Sequence, residues 1–249
     1  MEYAARGFIP RRGKLAAHST PAVDSATMPS VSTAQDVPEE SVGPSVGPSF
    51  VGIDVETANS DRGSICALGL SVVRAGRIVD TRSWLCRPPE DIGGFDPGNI
   101  RIHGIRPADV ARQPRFSERF VDMLDLAGDL PLVAHNASFD IGAVRAASAA
   151  TALSWRPLQY GCTLQWARRD LPGLANYRLP TVSAALGVDL LQHHDASADA
   201  AAAANIALEL MRRSDAPSLD AYLTAVGMNL GRATVDAKTA PADRSKRAG

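Results

Sequence analysis

Two carboxylates stand two residues apart at the end of an apolar run: Asp54 and Glu56 follow Phe50-Val51-Gly52-Ile53. Such a run reads as a strand, and alternation along a strand puts both acids on one face of a sheet. Like charges so placed repel, and a divalent cation is the natural relief. Two further clusters share this character. His135-Asn136-Ala137-Ser138-Phe139-Asp140 follows the short apolar run Leu132-Val133-Ala134, and His194-Asp195-Ala196-Ser197-Ala198-Asp199 opens a long alanine-rich stretch. Hard cations such as Mg²⁺ are held by a few carboxylates plus substrate phosphate oxygens. Two such ions about 4 Å apart activate a water and stabilise the leaving oxygen of a phosphodiester.

Each cluster alone has a plainer explanation. D-x-E is a common strand-end turn, and Asp140 suits the N-terminus of a helix. Asp199 suits the positive end of a helix dipole behind Asp195 as N-cap, and a loop histidine is usually solvated. By composition alone His193 and His194 are equal candidates for a proton acceptor.

The runs 50–54, 64–73 and 78–87 read as strands, with Arg74-Ala75-Gly76-Arg77 as the hairpin turn between the last two. Pro88-Pro89, Gly93-Gly94 and Pro97-Gly98 mark a long loop. Helices are expected at 107–112 and 116–126, a buried strand at 132–135, a helix at 138–150 and a strand at 158–162. Further helices are expected at 164–170, 181–186, 196–213 and 219–225. Three leading strands, then strands alternating with helices, predict an α/β fold with a mixed sheet covered by helices. The flanks differ in composition. Residues 1–48, with a tandem Ser-Val-Gly-Pro at Ser41 and Ser45, read as a disordered low-complexity segment, and 229–249 as a flexible basic tail. The folded domain is thus expected at 49–228.

A hydrophobic content of 45% suits a globular core. The formal net charge of -1 supplies no global basic field, yet a phosphate-cleaving site can recruit substrate through metal ions and a local patch. Cys66, Cys86 and Cys162 lack C-x-x-C spacing, which suits a reducing compartment and speaks against a disulfide framework and against zinc. No apolar run approaches the roughly 20 residues of a membrane-spanning helix. The basic residues Arg6, Arg11, Arg12 and Lys14 are not followed by the apolar stretch of a secretory signal. A cytoplasmic protein with no membrane contact is expected.

In this order and context the clusters resemble the DEDDh class of 3′→5′ exonucleases. That ribonuclease-H-like group includes the proofreading epsilon subunit of bacterial DNA polymerase III. Asp54-Val55-Glu56-Thr57 resembles its first motif, His135-Asn136-x-x-Phe139-Asp140 its second, and His194-x-Ala196-x-x-Asp199-Ala200 its third. Ser64-Ile65-Cys66, Ile102-His103-Gly104-Ile105, Cys162-Thr163 and Tyr177-x-Leu179 agree as well, so the likeness spans 50–213. The family's H-x4-D spacing selects His194 over His193, and all five catalytic positions are present.

The resemblance implies a ribonuclease-H-like mixed five-stranded sheet flanked by helices. It also implies two divalent metal ions, Mg²⁺ or Mn²⁺. Asp54, Glu56 and Asp199 would hold the ion that activates water, Asp54 would bridge to a second ion near Asp140, and His194 would be the general base. Neutral imidazole suits that role near neutral pH. Thr57, with the backbone around Ala58, would face the terminal nucleotide. His103 and Phe139 would pack against the last sugar and base, with ordinary loop and core packing as the alternative. The implied partner is nucleic acid, single-stranded DNA 3′ ends, with release of nucleoside 5′-monophosphates. Short RNA is the alternative, because the same acids serve both and the 2′-hydroxyl decides. The Glu56-Thr57-Ala58-Asn59 stretch looks closer to the polymerase-associated DNA branch. A polymerase-docked proofreading subunit is a further alternative, but no glutamine-led clamp motif is visible, and a stand-alone nuclease is expected.

Overall fold

The computed structural model describes residues 47–190 and 192–235. The chain enters on β1 (Phe50–Thr57) and returns twice through β2 (Ile65–Arg74) and β3 (Arg77–Leu85). β1 pairs antiparallel with β2 and β2 antiparallel with β3. The turn between β2 and β3 is Ala75-Gly76, with φ of 48° and 75°. Two positive φ values are the mark of a type I′ hairpin, whose twist matches that of its strands.

On its other edge β1 pairs in parallel with β4 (Leu132–Ala134), and β4 in parallel with β5 (Trp155–Cys162). Beyond β5 lies β6 (Gly231–Val235), antiparallel, so the sheet runs β3-β2-β1-β4-β5-β6. This corrects two expectations. The sheet has six strands, not five, and the sixth lies within 229–249, where a flexible tail is expected from composition. Its run Gly-Arg-Ala-Thr-Val carries little apolar signal because Ala233, 2% exposed opposite Leu158, is its contribution to the core. The rest of the expected tail, 236–249, and all but Gly47 and Pro48 of the expected disordered segment lie outside the described residues.

A further correction concerns the loop after β3. Pro97-Gly98 reads as a turn, yet α1 spans Pro97–His103. Asp96 caps it by accepting from the Gly98 N–H, Pro97 takes the first position, and Gly104 closes it at φ 78°. Proline just inside the start and glycine just past the end are helix signals when an N-cap precedes them. The short α2 (Pro107–Val110) and α3 (Phe116–Ala127) follow. Between β4 and β5 lies α4 (Ser138–Ala150), and after β5 come α5 (Thr163–Asp170), α6 (Leu179–Leu186), α7 (Ala196–Arg213) and α8 (Leu219–Val226). No helix among the described residues is long and apolar enough to cross a membrane.

Alternation along β1 separates two cores. Val51, Ile53 and Val55 are buried with Phe116, Phe120 and Met123 of α3 and Val144 of α4. Phe50 is buried with Ile206 and Leu210 of α7, Trp166 of α5 and Tyr222 of α8. The even positions of β1 therefore face α7, and Asp54 and Glu56 share that face. What lets α7 lie so close is the absence of side chains. A Cβ on Gly52 would stand 2.5 Å from the Ala200 carbonyl oxygen. At Gly69, which pairs with Asp54, a Cβ would stand 1.8 Å from the Ala196 oxygen. The alanines of α7 complete the close approach, with Ala200 and Ala204 fully buried.

Gly69→Ala should accordingly push the start of α7 off the sheet. Overpacking of this kind costs about 1–3 kcal/mol, and about 2–4 °C in Tm per kcal/mol for a chain this size. Since α7 carries Asp199, any activity should fall with it. A Gly69→Ala protein that melts like wild type would mean that α7 does not sit on β2 this closely.

Candidate active site

The carboxyl ends of parallel strands are where open α/β sheets gather ligands, and the acids converge there. β1 ends at Asp54-Val55-Glu56-Thr57 and β4 runs into His135-Asn136. A cleft of about 340 Å³ lies between them and α7, lined by Asp54, Glu56, Thr57, His103, Phe139, His194 and Asp199. Asp54, Glu56 and Asp199 each offer an oxygen within 4.8 Å of the other two.

Asp199 and Asp140 both lie in the first turn of their helices, but neither caps its helix. Asp195, not Asp199, caps α7, accepting at 3.0 Å from the N–H groups of Ser197 and Ala198. Asp199 is left with its carboxylate turned to the cleft, 4% exposed. Asp140, 2% exposed in the first turn of α4, makes no cap either. Its Oδ1 accepts from the Val55 N–H at 3.2 Å, which ties α4 to the end of β1 behind the cleft.

The two histidines before α7 behave differently from each other. Nδ1 of His193 lies 2.9 and 3.1 Å from the two carboxylate oxygens of Asp199. His194 contributes its backbone N–H to the same carboxylate at 3.1 Å and carries a φ of 71°. Their rings stack with centroids 3.8 Å apart, and both line the cleft. The side chain touching Asp199 is thus that of His193, while the His194 ring stands beside it, exposed at the cleft mouth. Burial and the neighbouring His193 lower the His194 pKa, partly offset by Asp199, so the neutral ring is favoured.

The walls are braced by contacts that sequence spacing does not reveal. Asn99 of α1 donates to the Thr57 carbonyl at 2.8 Å, and His103 meets the same oxygen at 3.2 Å through Nε2. Nδ1 of His103 accepts from the Ile105 N–H at 3.0 Å, so the proton belongs on Nε2. Burial lowers its pKa, in keeping with that neutral form. Half-buried His135 holds the opposite wall, with Nε2 2.9 Å from the Tyr177 carbonyl and Nδ1 2.9 Å from the Thr163 hydroxyl. Thr163 and Tyr177 therefore hold the β4 end of the cleft. Phe139 is half-buried, with the Arg62 guanidinium 6.0 Å above its ring. Ala58 is not brought to the cleft. Its side chain is fully buried beside Cys66 and Val110, and its N–H and C=O serve Ser64 and Asp96.

Crowded, buried carboxylates hold their protons. Burial first, then the charges of Asp140, Glu56 and Asp199, pushes Asp54 well above the usual carboxylate range. Glu56 rises to about 8 through burial and the charges of Asp199 and Asp140. Asp140 rises to about 7 through burial, with the Val55 N–H pulling the other way. Raised folded-state values mean that between about pH 4 and pH 8 the unfolded chain releases protons which the folded chain keeps. Stability contributed by these groups is complete below the unfolded values and is lost as pH rises through the folded ones. The Tm of metal-stripped protein should therefore fall from pH 5 to pH 8, and excess Mg²⁺ or Mn²⁺ should flatten that fall. Identical pH profiles with and without the cation would remove the case for carboxylate-bound metal.

The three sequence clusters thus meet at one cleft, with Asp54, Glu56 and Asp199 together. A model of the exonuclease family (RNase_T) matches residues 51–207, a span that includes Asp54, Glu56, Asp140, His194 and Asp199. The chain belongs to the exonuclease family. Among its exonuclease relatives, the DNA polymerase III PolC-type of Caldanaerobacter subterraneus is 30% identical over 166 residues, covering 66% of this chain and 12% of that one. The 3′-5′ exonuclease DinG of Staphylococcus epidermidis is 25% identical over 173 residues, covering 69% and 19%. This chain thus matches only a small part of those longer proteins. Among solved exonucleases, Exonuclease X in complex with 5′ overhanging duplex DNA superposes with a TM-score of 0.53 at 28% identity. That match covers 70% of this chain and 99% of that one.

Proposed function

We propose that the chain is a metal-dependent 3′→5′ exonuclease that hydrolyses phosphodiester bonds at DNA 3′ ends and releases nucleoside 5′-monophosphates. The observation that carries this reading is the convergence of Asp54, Glu56 and Asp199 within 4.8 Å in an open cleft, with Asp140 buried behind them. The all-oxygen donor set suits Mg²⁺ or Mn²⁺, and the carboxyl pKa values are raised by burial first and then by a mutual repulsion that a cation relieves. Asp54, Glu56 and Asp199 would hold one ion, and Asp54 with Asp140 a second. Bound there, the ions supply acidity to a water and positive charge to the scissile phosphate.

The chain's own groups do the rest. His194, neutral and exposed beside Asp199, takes the proton of the attacking water. Thr57, its carbonyl fixed by Asn99 and His103, sets the edge against which the terminal nucleotide rests. Phe139 offers a ring face for the last base, since single strands are held largely by stacking. DNA is favoured because Exonuclease X, which this chain matches over nearly the whole of its length, was solved on a DNA duplex.

The test uses 3′- and 5′-labelled DNA and RNA oligonucleotides with Mg²⁺, Mn²⁺ or EDTA. Stepwise shortening of DNA from its 3′ end, mononucleotide products and silence in EDTA are expected from the isolated protein. Cleavage that survives EDTA, or internal cuts, would overturn the proposal, and degradation confined to RNA would overturn the substrate.

A further inference from the structure

His193 is left without a task by that chemistry, yet it sits closer to Asp199 than any other ring. We propose that His193, His194 and Asp199 form a second metal site, selective for a borderline transition-metal ion of the zinc class. The three offer ligand atoms that all lie within 4.8 Å of one another. This triad shares Asp199 with the acidic triad and otherwise consists of imidazoles. Imidazole suits zinc and its neighbours, whereas Mg²⁺ takes oxygen ligands. Cysteine spacing speaks against a cysteine-bound zinc; a histidine pair beside a carboxylate is a different donor set.

The geometry is close to that of a bound ion. With metal–ligand bonds of about 2.0–2.1 Å, neighbouring ligand atoms of a tetrahedral zinc site stand roughly 3.3 Å apart. His193 Nδ1 and the Asp199 oxygens are 2.9 and 3.1 Å apart, so exchanging the shared proton for a metal ion opens them by only a few tenths of an ångström. The His194 backbone is fixed across the same carboxylate by its N–H, at φ 71°, which keeps both rings on one side of Asp199. His193 is 36% exposed at its side chain and His194 is exposed, so His194 has room to turn toward the ion, whereas Asp199 is buried and fixed. A fourth position faces the cleft, open to water or a phosphate oxygen.

The consequence for hydrolysis rests on the exonuclease reading. An ion here takes the His194 lone pair that would accept the proton, and it draws on Asp199, so zinc should inhibit the Mg²⁺-dependent reaction. Inhibition alone does not locate the ion, because zinc can also be held by Asp and Glu oxygens.

The deciding measurement is calorimetric titration of the EDTA-stripped full chain with Zn²⁺, in excess Mg²⁺. His193→Asn should weaken Zn²⁺ binding by more than about tenfold, since even loss of a group that only orients a ligand costs about 10–100-fold, while Glu56→Gln leaves it within about twofold. In wild type carrying isotope-labelled histidine, Zn²⁺ should shift the ring resonances of His193 and His194 and leave those of His103 and His135 in place. That readout stands even if a variant fails to fold. The proposal is overturned if wild type does not bind Zn²⁺, if His193→Asn binds like wild type, or if Glu56→Gln is the more damaging change. Binding is read without a nuclease assay, so the zinc site stands or falls separately from the exonuclease reading. Where cleavage is present, His193→Asn should relieve zinc inhibition by the same factor.

Discussion

Asp54→Asn should abolish metal-dependent cleavage, a loss of about 10³-fold or more, without destabilising the metal-free protein. Metal-borne charge stabilises the transition state by several kcal/mol, and each 1.36 kcal/mol is tenfold in rate. Asp54 is central to both proposed ions, so it should cost more than either flank. Its stability effect has the opposite sign from that of an ordinary buried polar residue. Asp54 is held above its normal pKa by burial and by Asp140, Glu56 and Asp199, and amide replacement removes that repulsion while keeping the shape. The Tm without metal should be unchanged or raised, at about 2–4 °C per kcal/mol relieved, and the gain from adding Mg²⁺ should shrink. Substantial metal-dependent cleavage by a clean Asp54→Asn preparation would rule out the two-ion reading.

The site was legible where its signal is local. Alternation along a strand puts Asp54 and Glu56 on one face, but D-x-E alone also reads as a strand-end turn, and only the order of the three clusters sets it apart. Asp199 is singled out by the third motif of the resemblance, and the helix expected at 196–213 behind Asp195 has those bounds in the structure. The bracing groups are not local. Asn99 reaches Thr57 across 42 residues, and His135 reaches Thr163 and Tyr177 across 28 and 42. No spacing rule links such partners before the chain is folded. α1 was hidden by Pro97-Gly98, a pair that serves turns and helix starts alike until Asp96 is recognised as the cap. β6 was hidden because an edge strand needs few apolar residues. The alanine content of α7 has its reason in Gly52 on β1 and Gly69 on β2, which let the helix backbone meet the sheet.

The same locality limits the choice between the two histidines, and mutation separates them. His194→Ala should lower turnover by about 10²–10⁴-fold, the usual yield of a positioned proton acceptor. Mg²⁺ affinity should change little, because Asp54, Glu56, Asp140 and Asp199 remain. The acidic limb of the pH–rate profile should disappear with the ring. That limb lies below the ordinary imidazole value, because burial and His193 lower the His194 pKa. His193→Ala has a different logic. Its ring holds Asp199 at 2.9 Å in the absence of metal, a position that an ion on the acids would contest. Removing it frees the carboxylate, so kcat should change only mildly and apparent Mg²⁺ affinity should hold or improve. If His193→Ala proves the more damaging of the two and removes the acidic limb, the proton acceptor is His193. Its contact with Asp199 would then be the working arrangement of the base, and the His194 ring a stacked support.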